Sequence, residues 1–136
     1  MSDSVSILRS RRFACAADAL LVAAAVGRLR RPGSATFVFL DDDRRLVDVL
    51  VVEDGGDQLA HVLDMALQLQ EPEVEELFVV TDRTGEVPAD RPDDELVWLE
   101  LLDLAAEHGT TLLDWFVVWD MKAFSVAEFA PRPAQW

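Results

Sequence analysis

Apolar and polar positions change period along the chain, and each change marks an element. From Arg11 to Arg30, Phe13, Ala17, Leu20, Leu21 and Ala24 recur at helical spacing, which predicts a helix whose core face they form and which Pro32-Gly33 stops. Residues 35–40 (Ala-Thr-Phe-Val-Phe-Leu) and 45–53 (Arg-Leu-Val-Asp-Val-Leu-Val-Val-Glu) read as strands joined by Asp41-Asp42-Asp43, a hairpin. Between Asp57 and Gln70, Leu59, Val62, Leu63, Ala66 and Leu67 return every three or four residues, with Gln58, His61, Asp64 and Gln68 opposite them. That is an amphipathic helix lying on a sheet.

A short apolar strand, residues 76–81, comes next. Asp93 is placed to cap a helix running to His108, with Gly109 as its stop. This helix is unusually apolar, since Leu96, Val97, Trp98, Leu99, Leu101, Leu102, Leu104, Ala105 and Ala106 leave only a stripe through Glu100, Asp103 and Glu107. Packing within the chain and cover by a second subunit both account for it. Residues 111–119 read as a last central strand, with Leu113, Trp115, Val117 and Trp119 on one face, and a short strand is expected between Phe124 and Phe129. Strands alternating with helices in this order predict an α/β fold, a mixed sheet sandwiched by helices in three layers.

Composition narrows the class. With 136 residues, 51% of them hydrophobic, the chain is long enough for one core and is read as a single domain: a flexible N-terminus over 1–10, an N-terminal helical segment over 11–31, a core over 35–129 and a tail over 130–136. The single cysteine, Cys15, provides neither a disulfide framework nor a thiolate cluster for zinc, and fits a reducing, cytoplasmic compartment. A net charge of −14 argues against nucleic acid, whose binding depends on Lys and Arg displacing counterions. Charge is also uneven: six arginines against Asp3 and Asp18 give +4 through Arg31, so the remaining 6 basic and 24 acidic residues carry −18. Ser10-Arg11-Arg12-Phe13 ahead of an apolar run superficially resembles an export signal. Asp18 inside that run and Arg28, Arg30 and Arg31 at its end count against one, and the run is too short and alanine-rich to span a bilayer.

Familiar catalytic constellations are missing. His61 and His108 each sit on a predicted helix among acidic residues and read as exposed polar positions. Asp41-Asp42-Asp43 lacks the ligand spacing and the glycine of a calcium loop. There is no nucleophile elbow and no glycine-rich phosphate cradle. Trp98, Trp115, Trp119 and Trp136, in a chain without tyrosine, suit packing or an interface, and Trp136 must fold back or dock on a neighbour to be buried.

One stretch carries more. Thr81 to Asp94 joins a strand to a helix, and Leu113-Asp114-Trp115-Phe116-Val117-Val118 follows on the later strand. This order of hairpin, helix, strand, loop, helix and strand resembles the RadC-like branch of the JAB (MPN) metalloprotease-like domains, whose architecture is cytidine-deaminase-like, over roughly residues 35–129, with the N-terminal helix as an addition. The resemblance implies a loop carrying His-x-His, seven residues, then Ser-x-x-Asp, a later Leu-Asp-His, and a zinc ion held by two imidazoles and a carboxylate beside a polarised water. Laid on Asp94, the pattern places Thr81 and Arg83 at the histidine positions and Arg91 at the serine; Leu113-Asp114 is kept, and Trp115 replaces histidine. Neither Asp48 nor Glu53 matches the upstream acid. Threonine and arginine do not replace neutral imidazoles, and Arg83 puts a fixed positive charge where the cation belongs.

The expectation is therefore a catalytically silent JAB-like domain with no metal or other cofactor, binding a protein partner or itself as a homodimer, with no nucleic acid or membrane partner. Asp114, Trp98, Trp115, Trp119 and Trp136 are its candidate interaction or ligand residues. The alternative is a small-ligand binder or enzyme whose site unites Arg83, Arg91, Asp94 and Asp114, the arginines recognising an anion. A weaker third reading has the acidic surface imitating nucleic acid toward a basic partner.

Overall fold

The computed structural model describes residues 12–29, 33–53, 55–70, 72–82, 93–119, 122–128, 130 and 132–136. The expected flexible residues 1–10, and Arg83 and Arg91, lie outside them. The described residues form three α-helices, α1 (Ala16–Leu29), α2 (Leu59–Gln68) and α3 (Asp93–Glu107), and five strands. The strands are β1 (Ala35–Leu40), β2 (Leu46–Val52), β3 (Glu76–Asp82), β4 (Thr111–Trp119) and β5 (Lys122–Ser125), in one sheet of order β2-β1-β3-β4-β5. Only β3 and β4 run parallel, joined by α3; the other neighbours are antiparallel. The architecture is mixed α/β, as the alternation of elements predicts.

Layers follow from which residues of each strand are apolar. Phe37, Phe39, Leu77, Val79, Trp115 and Val117 bury one face of the sheet against Leu59, Leu63, Ala66 and Leu67 of α2 and Trp98, Leu101, Leu102 and Ala105 of α3. Val38, Leu40, Phe78, Val80, Phe116 and Val118 bury the other against Phe13 and against Ala19 and Ala23 of α1. All six residues of β1 are buried, the signature of a strand covered on both sides.

The hairpin turn is held by its first aspartate. Asp41 Oδ1 accepts hydrogen bonds from the Asp43 and Arg45 amides, both at 2.9 Å, and Arg44 adopts a left-handed φ of 61° to complete the reversal. Arg44 then points back over the sheet, donating from Nε to Glu76 at 3.2 Å and from Nη1 to the Ala14 carbonyl at 2.9 Å. The C-terminus of α3 closes at the expected glycine. Gly109, with φ 73°, donates to Ala106 O, and Thr110 donates to Ala105 O, which satisfies two carbonyls of the last turn.

Four local expectations are corrected. The N-terminal helix starts at Ala16, not residue 11: Asp18 accepts from the Ala14 amide at its first turn, while Arg12 bridges to Arg45 outside the helix. Its buried face runs through Ala19 and Ala23, leaving Leu21 65% exposed, because an alanine-rich helix lies closest to the sheet along its smallest side chains. Leu113 does not share a face with Trp115 and Val117. Leu77 pairs with Leu112 and Phe78 with Asp114, so Leu113 is the extra residue of a β-bulge and joins the α1 layer. Finally, β5 ends at Ser125, and Val126–Glu128 turn as a 3-10 helix.

Phe78 sits at the centre of the α1 layer, 5.5 Å from the Phe13 ring, 5.9 Å from Phe116 and 5.8 Å from Trp136 between centroids. Phe78→Ala removes the shared wall of all three contacts. It is expected to cost about 3–5 kcal/mol in urea or guanidinium denaturation, the range for emptying a buried aromatic site.

Candidate functional site

The end of β3, the start of α3 and the middle of β4 bring the motif positions of the sequence to two places, one on each side of the sheet. On the α2/α3 side, Thr81 ends the buried run of β3 and Trp115 lies diagonally across on β4, where Val79 pairs with Trp115 and Thr81 with Val117. Thr81 and Trp115 are 3% and 1% exposed, and the indole Nε1–H donates to Thr81 Oγ1 at 2.9 Å. Asp94, in the first turn of α3, is also buried. It stands one helical turn before Trp98, whose indole donates to the Arg132 carbonyl at 2.8 Å.

This donor set does not fit zinc. An indole nitrogen has no lone pair free for a metal, and Trp115 instead uses its N–H on the hydroxyl that stands at the first histidine position. Asp94 is the carboxylate at the metal-ligand position of the pattern, and Arg83 and Arg91 lie outside the described residues. The Asp41, Asp42 and Asp43 carboxylates do approach within 4.8 Å of one another. They are half-buried to exposed, and Asp41 is already engaged in holding the turn.

On the α1 side, Asp114 is 1% exposed in the middle of an apolar strand. Its carboxylate is met by three donors. The Ser125 hydroxyl donates to Oδ1 at 2.6 Å, the Trp115 amide to the same oxygen at 2.9 Å, and the Trp136 indole to Oδ2 at 3.0 Å. Burial nonetheless pushes its pKa above the ordinary carboxylate range, helped by the negative charge of Glu128 and opposed by those hydrogen bonds. Trp136 is half-buried, stacked at an angle on Phe78 and Phe116, with the Arg44 guanidinium 5.7 Å above its ring.

Asp94 and Asp114 therefore serve opposite sides of the sheet. These are two members of the expected four-residue anion site; the other two, Arg83 and Arg91, lie outside the described residues. Of the tryptophans, Trp98, Trp115 and Trp136 are each tied by the indole nitrogen to a different partner, while Trp119 is half-buried at the end of β4 beside Lys122. His108, the residue after α3, pairs with Asp64 of α2 at 2.8 Å, and His61 is exposed. Ser125, Gln135 and Arg44 were not singled out by sequence. The available signal for Ser125 was Asp114 itself, since an acid inside the run Leu112 to Val118 must find donors from neighbouring strands.

Neither a scan of protein-family models nor a search of curated proteins finds a match to this chain. Among the described residues no helix is long and apolar enough to cross a membrane.

The Thr81–Trp115 bond makes a clear expectation. Thr81→Val keeps the shape of the side chain but removes the hydroxyl that accepts from the buried indole N–H. Stability should fall by about 1–3 kcal/mol, measured by chemical denaturation, and the double variant with Trp115→Phe should lose less than the sum of the two single losses.

Proposed function

We propose that the chain is a catalytically silent JAB-like domain that works by binding protein, a second copy of itself included. The observation that carries this reading is the hydrogen bond of the Trp115 indole to Thr81: two positions where the resembled family has histidines are occupied by side chains that satisfy each other in a dry interior. A hydrolase of that kind needs lone pairs facing a shared ion and an activated water. Here the hydroxyl and indole are directed at one another instead.

The chain order of hairpin, helix, strand, helix and strand is the order on which the resemblance rests, and it supports this reading. Support for binding comes from the helical layer. Leu96 on α3 is 68% exposed, and Met65 on α2 and Leu69 just past its end are 51% and 80% exposed. Apolar side chains left in water on the helices that cover a sheet are the raw material of a contact with another protein. The self-association reading follows the same logic with a second copy as the partner.

Two measurements on the purified chain test the proposal together. Elemental analysis should find no stoichiometric zinc, and peptidase and isopeptidase assays with zinc supplied should show no turnover above blank. Zinc at one equivalent, with turnover abolished by Asp94→Ala, would refute the silent reading outright.

A further inference from the structure

The short β5 leaves half of a strand edge uncovered, and the tail covers it. β5 pairs only with Phe116 to Trp119, so the edge of β4 from Leu112 to Trp115 has no strand beside it. Residues 132–136 cross there instead. The Trp98 indole holds the Arg132 carbonyl on the α3 side, the Gln135 amide donates to Leu113 O at 2.8 Å, and the Gln135 side chain donates to Leu112 O at 2.9 Å. The Trp136 indole then reaches Asp114 on the α1 side.

We infer that residues 132–136 form a strap that opens as a unit, separately from the sheet beneath it, and bares the Leu112–Asp114 edge when it does. The tail makes no continuous ladder with β4. It is pinned at a few points, Arg132, Pro133 and Gln135 are exposed, and the Arg132–Asp103 pair is exposed on both sides. Segments held by a few half-buried contacts, with Ala134 and Trp136 as the only side chains packed on the cores, open at a lower free energy than the sheet they cover. What lies beneath is unusual for a strand edge: a buried carboxylate whose third donor is the strap itself.

That carboxylate ties the opening to pH. With the strap closed, Asp114 is desolvated and binds its proton more tightly than an ordinary aspartate; with the strap open, water reaches it and its affinity returns toward the usual range. The closed state thus holds more protons in the window between the two values, so raising pH through that window favours opening, and above it the effect levels off. Other charges near the carboxylate reinforce or leave this sign intact. Glu128 adds to the upward pressure, Arg44 is engaged with Glu76 and Ala14 while covering the Trp136 ring, Asp18 at the start of α1 is bonded to the Ala14 amide, and Lys122 is exposed at the far end of β5. This device goes beyond the binding role proposed above and does not depend on it.

Amide hydrogen exchange of the full chain, followed by NMR between about pH 4 and pH 7 and corrected for intrinsic base catalysis, tests it. The protection of Gln135 should fall as pH rises, by at most about tenfold per pH unit for one linked proton, while Val79 and Phe37 in the central strands hold theirs. Asp114→Asn should abolish that pH dependence. Trp136→Phe keeps an aromatic ring but deletes the donor, and should lower Gln135 protection several-fold at every pH with Val79 unchanged. Exchange of Gln135 in step with Val79, pH dependence that survives Asp114→Asn, or unchanged Gln135 protection in Trp136→Phe would each overturn the inference.

Discussion

Burial of the central strands on both faces governs the rest of this structure. All of β1, the middle five residues of β3 and the middle seven of β4 are shielded, so any polar side chain in them must be satisfied from within. Thr81 and Asp114 meet that demand in different ways. The threonine accepts from an indole on the neighbouring strand, and the aspartate gathers donors from its own backbone, from β5 and from the tail. Among the described residues no fully buried side-chain nitrogen or oxygen is left without a partner. The polar groups of the core are thereby converted from liabilities into ties that fix strand register and anchor the chain's last residues.

Much of this architecture was legible in the chain because its elements obey simple periods. The strand through Phe37 and Phe39, the helical repeat from Leu59 to Leu67, and the glycine stop at Gly109 each rest on local chemistry, and each lies where it was expected. Errors arose where the deciding contact is distant. The face of α1 is ambiguous in a run of alanines, and only the sheet selects Ala19 and Ala23. Leu113 looked like a partner of Trp115 until pairing with β3 placed a bulge there, and no pattern within β4 announces that shift.

The candidate positions show the same division. Thr81, Asp94, Asp114 and Trp115 could be named from one dimension, through spacing and resemblance. Their relation to one another could not: the strand separates Asp114 from Asp94 while the parallel pairing of β3 with β4 joins Thr81 to Trp115. Chemistry follows from that arrangement. On one side of the sheet the hydroxyl of Thr81 is engaged by the Trp115 indole, and on the other the carboxylate of Asp114 is capped by three donors.

The tryptophans give the molecule an unplanned property. Trp98 answers to the contact between α3 and the tail, Trp115 to the seam of the parallel strands, and Trp136 to the α1 layer, and each indole nitrogen has its own partner. With no tyrosine to contribute, near-ultraviolet emission and indole nuclear resonances arise from a handful of chromophores, Trp98 and Trp115 on one side of the sheet and Trp136 on the other. The protein thus carries native spectroscopic labels by which loosening of one stratum can be told from loosening of another, with no dye attached.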